Sequence, residues 1–130
     1  MKLFLIFFLI SILLSSHTSF SVEEVCLKED AAIKFEGHIH RTTFPGPPNY
    51  ESIQKGDKPE TYWVLEIPKP VCTSSEKSIR SLQLIVDPNL YKNKNLLKRK
   101  VIVEGTLMPQ ITGHHHTPYL IDVKSIVPVN

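Results

Sequence analysis

Excess charge is the first thing this chain lacks: 15 Lys and Arg stand against 13 Asp and Glu in 130 residues, a formal net charge of +2. So small a surplus gives no molecule-wide field to hold the protein on nucleic acid or on an anionic membrane, and any charged partner must be met by a local patch. Cysteine is also scarce. The two present, Cys26 and Cys72, form no Cys-x-x-Cys pair, which argues against a thiolate metal site. There is no Gly-x-Ser-x-Gly turn and no His-Glu-x-x-His helix, so two common hydrolase signatures are missing. Beyond residue 14 no apolar run approaches the roughly 20 residues that a membrane-spanning helix needs.

What is present begins with Met1-Lys2, an apolar run from Leu3 to Leu14 interrupted only by Ser11, and a small-residue end at Ser19 and Ser21. One cation, a short apolar core and small residues at the cleavage positions make residues 1–21 a secretory signal peptide, with the mature chain starting at Val22. The protein is therefore expected to be periplasmic or secreted. Export turns the even cysteine count into one expected disulfide, Cys26–Cys72. Residues 22–130 have the length of a single domain.

Five segments in that domain carry strand patterning. Ile33, Phe35, Gly37 and Ile39 alternate with polar residues in a strand reaching about Thr43. Tyr62–Ile67 is a second, stopped by Pro68 and Pro70. Residues 79–86, 101–107 and 119–127 supply three more. Between the third and fourth strands one helix is expected: Asp87 caps it, Pro88 takes the first position, and Lys98, Arg99 and Lys100 sit at its end. The order strand, strand, strand, helix, strand, strand is that of the OB-fold, a five-stranded Greek-key barrel. Gly37 and Gly105 fall inside strands, where a small barrel needs bends or bulges.

The unusual residues gather in two connections. One is a proline-stiffened flap over residues 41–60, in which Phe44, Tyr50 and Ile53 give it something to bury. The other is Thr112-Gly113-His114-His115-His116-Thr117-Pro118. In an OB-fold the loops joining strands one to two and four to five flank one ligand face, so both oddities are expected at the same place. Arg41, Asn49, Tyr50, Tyr62, His114 and His116 are the candidate ligand-binding residues, with Tyr119 a further aromatic for stacking. Alternation sends Trp63 into the core and leaves Tyr62 outside.

A divalent transition metal is the cofactor that the imidazoles could take, through His38 and His40 from one strand with His114 and His116 from the loop. No Asp or Glu stands at an obvious spacing to orient those rings, and His115 points away from its two neighbours in an extended segment. Glu51, Asp57 and Glu60 could serve as acid and base against the histidines, although solvating the flap is the simpler role for them. Lys92, Lys94, Lys98, Arg99 and Lys100 form a cationic run. In an exported protein this run suits an acidic protein or a phosphate-bearing polymer better than nucleic acid.

The stretch Arg41-Thr42-Thr43-Phe44-Pro45-Gly46-Pro47-Pro48-Asn49-Tyr50-Glu51-Ser52-Ile53, with Gly56-Asp57, Pro59-Glu60, Tyr62-Trp63 and the histidine loop, resembles a family of short exported bacterial proteins. That family is a domain of unknown function. The resemblance implies a place in or beyond the bacterial envelope and no particular activity. The expectation is an exported, monomeric, non-enzymatic binding module of OB-like fold, engaging an envelope polymer or a protein through the flap and residues 113–117. A periplasmic metal-binding protein is the alternative, and a small hydrolase a weaker one.

Overall fold

In the computed structural model, which describes residues 26–130, five strands close into one barrel. They are β1 (Ala32–Pro45), β2 (Pro59–Val71), β3 (Ile79–Ile85), β4 (Lys100–Pro109) and β5 (Tyr119–Pro128). The leader assigned to residues 1–21 lies outside the described residues. The barrel order is β1-β2-β3-β5-β4, with β3 and β5 parallel and the other pairs antiparallel. This is the OB-like arrangement that the strand order predicts. Closure falls to β1, which pairs with β4 over residues 32–38 and with β2 over residues 38–45.

The period of two sorts the residues as expected. Ile33, Ile39, Trp63, Leu65, Ile67, Leu82, Leu84, Val101, Val103, Leu107 and Ile121 fill the core. Gly37 sits where β1 bends: a Cβ there would lie 2.2 Å from the Glu66 carbonyl oxygen. Gly105 sits at the β4–β5 bulge, where a Cβ would lie 2.2 Å from the Asp122 carbonyl oxygen.

Three expectations need correction. First, Pro68 and Pro70 do not end β2. The strand runs on to Val71 because its ladder with β3 shifts register between Glu66 and Val71, so the missing proline N–H groups fall in an irregular stretch. Second, the helix after β3 is not formed. Two 3₁₀ turns, Leu90–Lys92 and Lys94–Lys98, stand in its place. Asn89, Asn93 and Asn95 favour local turns over helix, and Asn93, Lys94 and Asn95 leave no apolar residue at the i+3 and i+4 positions between Leu90/Tyr91 and Leu96/Leu97 to continue a helical stripe. Third, β1 and β2 pair beyond Thr43, through Phe44↔Glu60 and Pro45↔Pro59, which shortens the flap to residues 46–58.

The expected disulfide is present: Cys26 and Cys72 are bonded across 46 positions. With the Leu27 N–H donating to the Cys72 carbonyl at 2.7 Å, it ties the chain ahead of β1 to the end of β2. On the chain-entropy account a loop of this length contributes about 4 kcal/mol. Replacing both cysteines by serine is therefore expected to lower the unfolding free energy in a urea titration by about that amount. A change below about 1 kcal/mol would show that the staple constrains little in the unfolded chain.

Candidate functional site

The extra strand pairs past Thr43 set up the site. They place Phe44 and Glu60 opposite each other at the root of the flap, with Tyr62 two residues further along β2 on the same face. Glu60 then becomes the meeting point. Its carboxylate accepts hydrogen bonds from His114 Nδ1–H at 2.8 Å, His116 Nε2–H at 3.2 Å and the Tyr62 hydroxyl at 3.1 Å. The His116 ring lies flat on Phe44, centroids 4.5 Å apart and planes 1° from parallel, with Tyr62 tilted beside it at 5.5 Å. His114 is met on its far side by Tyr50, whose hydroxyl is 3.4 Å from Nε2. The cluster is graded in exposure: the side chains of His116, Glu60 and His114 are 8%, 17% and 53% exposed.

An ionised carboxylate only accepts, so this geometry selects a tautomer for each ring. His114 carries its proton on Nδ1 and His116 on Nε2. In neutral His114 the remaining Nε2 lone pair faces the Tyr50 hydroxyl, giving a chain from carboxylate through imidazole to phenol. Burial alone would raise the Glu60 carboxyl. Hydrogen bonds from His114, His116 and Tyr62, together with the charge of His114, outweigh it and hold the group below its ordinary 4.5. Burial and then the Glu60 contact push Tyr62 up to about 12.

The flap has a second organising carboxylate. Asp57, buried beneath it, accepts the backbone N–H groups of Asn49, Glu51 and Ser52 and the Asn49 side-chain amide. The backbone donors of Ser52, Glu51 and Asn49 hold its carboxyl below the ordinary 3.8. This folding turns Tyr50 to a φ of +59°, a left-handed conformation that costs a large non-glycine residue free energy. The strain aims the Tyr50 ring across the gap to the histidine loop. There Gly113 leaves room for it: a Cβ would lie 2.9 Å from the ring, so the ring would have to shift.

The loop itself is held from below by Gln83. The Gln83 side chain donates to the His114 carbonyl at 2.9 Å and accepts the His116 N–H at 2.7 Å, while the Gln83 N–H donates to Thr117 Oγ1 at 2.9 Å. Gln83 belongs to an outer-face row with its ladder neighbours Val64 and Leu120, and all three are buried. His115 does turn away from its neighbours, but through a tight turn rather than an extended segment. Its Nδ1 accepts the Ile111 N–H at 3.1 Å, and burial, then the charges of His114 and His116, push its pKa down.

Tyr50, Tyr62, His114 and His116 are thus brought together. Asn49 is spent on Asp57, inside the flap. Arg41 is exposed and lies apart, in a cleft with Trp63, Tyr91, Lys94 and Leu97. Tyr119 is buried, its hydroxyl bonded to Ser75 and Glu29, so it offers no stacking face. Ile53 is not buried but 39% exposed.

The four-histidine metal site does not assemble. His38 and His40 stand on the outer side of β1 in a cleft with Arg80 and Lys100. Six and four extended residues separate them from Phe44, about 20 and 13 Å, whereas His116 is stacked on that ring. Among the described residues no group of three or more His, Cys, Asp or Glu is arranged to hold a metal ion. The residues that sequence reasoning undervalued are Glu60, which does orient two imidazoles, Gln83 and Phe44.

Beside the cluster a shallow cleft of about 300 Å³ runs over β3. It is lined by Tyr62, Leu84, Ile85, Val86, Tyr91 and His114, with Gln83 and His115 at its edge. An apolar floor with aromatic and imidazole walls is suited to the faces of sugar rings or of extended polymers.

Residues 81–127 match a family described as a domain of unknown function (DUF4431). The matched stretch runs from the third residue of β3 through β4 and the histidine loop to the penultimate residue of β5. The comparisons with curated proteins and with solved structures find no match.

Both carboxylates have depressed folded values, so their contribution is complete above the unfolded values and is lost as pH falls through the folded ones. Amide-exchange protection in residues 46–58 is expected to hold from neutral pH to about 5 and to fall below about 4, ahead of the barrel strands. Asp57→Asn should expose the flap at every pH. Flap protection unchanged at pH 3 would contradict the assignment.

Proposed function

We propose that the face made by the flap, the histidine loop and the β3 cleft is a binding face, and that the protein is an exported, non-enzymatic module that engages an envelope polymer there. One observation carries the reading. The two connections that an OB-like barrel offers to ligands are here locked to each other through Glu60 and Tyr50, so the face is formed before any ligand arrives. The apolar leader at residues 1–21 and the Cys26–Cys72 bridge support a place outside the cytoplasm.

The side chains suit recognition better than turnover. Glu60, His114 and His116 satisfy one another rather than waiting for a substrate. Phe44 and His116, stacked ring on ring, are packed as a wall. What remains open to a ligand is Tyr62, the outer edge of His114, and the half-buried cleft floor at Ile85 and Val86. Flat, partly apolar units such as sugar rings pack on such a surface, and the imidazole edge offers them a hydrogen bond.

Titration of the isotope-labelled protein with muramidase-released peptidoglycan fragments tests this. Amide shifts are expected at Tyr62, residues 84–86 and residues 113–116, with Tyr62→Ala weakening binding about tenfold or more while the β4 amides keep their native positions. Shifts confined to other faces, or none, would overturn the reading.

A further inference from the structure

The β3 cleft does not end at Tyr62. Tyr91 forms its far wall and is also a wall of a second cleft of about 220 Å³, lined by Arg41, Trp63, Lys94 and Leu97. Trp63 and Tyr91 meet edge to face at 5.0 Å, and Trp63 is buried, so the partition between the two clefts is a packed aromatic ridge. On one side lies the surface of Tyr62, Ile85 and His114. On the other lie two cations.

These cations differ from Lys34 and Lys100. Lys34 is paired with Glu104 and Lys100 with Glu36. Among the described residues, neither Arg41 nor Lys94 lies within ion-pair distance of a carboxylate. The chain around Lys94, residues 88–100, contains five Lys or Arg and no acidic residue. Local positive potential is therefore concentrated at this end of the groove, although the net charge of the whole chain is only +2. Arg41 adds a planar fork that matches carboxylate or phosphate oxygens in pairs. The cleft holding His38 and His40 is less suited to an anion, since Glu66 lines it and its Lys100 is already paired.

We infer that the ligand is an anionic glycan, its sugar rings lying against Tyr62 and Tyr91 and its carboxylate or phosphate held at Arg41 and Lys94. This rests on the binding face proposed above and names the class of ligand that face takes. Single-stranded nucleic acid shares the phosphate chemistry but fits less well. It is gripped by several aromatic platforms in succession and by an extended basic groove, and this groove offers two half-buried tyrosines and one cationic end.

Three probes separate the outcomes: peptidoglycan fragments with free stem-peptide carboxylates, the same fragments with those carboxylates amidated, and an oligothymidylate. Amidation is expected to weaken binding to the native protein about tenfold or more. Arg41→Gln/Lys94→Gln, both exposed positions, should bind the charged and amidated fragments alike, at the weaker level, with a flattened salt dependence. Equal affinity of the native protein for both fragments, with Tyr62 and His114 amides still shifting, overturns the anion assignment and leaves the binding face standing. No shift at Tyr62 and His114 with any probe overturns the face and this inference together. Tighter binding of oligothymidylate than of the fragments assigns the cationic end to nucleic acid and overturns the glycan.

Discussion

The face made by the flap and the histidine loop depends on one carboxylate. Glu60 sits one pair from the end of the β1–β2 ladder and gathers donors from β2 and from two positions in a loop more than 50 residues away. A single hydrogen bond of this kind is worth little on balance, because water offers each partner a replacement. Three to one half-buried charge are a different matter. Removing the charge would leave two imidazoles and a phenol without their acceptor, and the Phe44–His116 stack without a fixed ring to pack on. The network ties the flap root to the histidine loop and thereby makes one surface from two connections.

Two further contacts prepare the chain for that meeting. Asp57 gathers three backbone N–H groups and so folds residues 46–58 into a defined shape instead of a long open loop. Gln83 supports the histidine loop from β3 through one donor and one acceptor. The strained φ of Tyr50 is where these effects combine: the flap's hydrogen bonds impose it, and the Tyr50–His114 contact makes use of it. The energetic logic is that of preorganisation. Ordering entropy is met during folding, so a ligand that docks on this face need not supply it.

The barrel was largely legible from the chain because it rests on local alternation. Ile33, Ile39, Trp63, Leu65, Leu82 and Leu84 announce their faces by period alone, and Gly37 and Gly105 announce close approaches. That both unusual loops would reach one end also followed from strand order. What did not follow was anything set by long-range contact. Gln83 alternates outward like any solvated residue, and only the loop folded over it makes it a buried support. Glu60 resembles the other acids of the flap until its strand is extended to face the histidines. Pro68 and Pro70 read as a stop because the register shift that tolerates them is a property of two strands, not one. Asp87-Pro88 reads as a helix start, but the asparagines beyond it do not sustain a helix.

Glu60 latches the histidine loop to the root of the flap, and the tautomers of the two histidines report on it directly. Nitrogen-15 imidazole spectra at neutral pH are predicted to show His114 protonated at Nδ1 and His116 at Nε2, each long-lived against exchange, with both signatures lost in Glu60→Gln. A His114 ring in the ordinary Nε2-protonated form, unchanged by that substitution, would contradict the account.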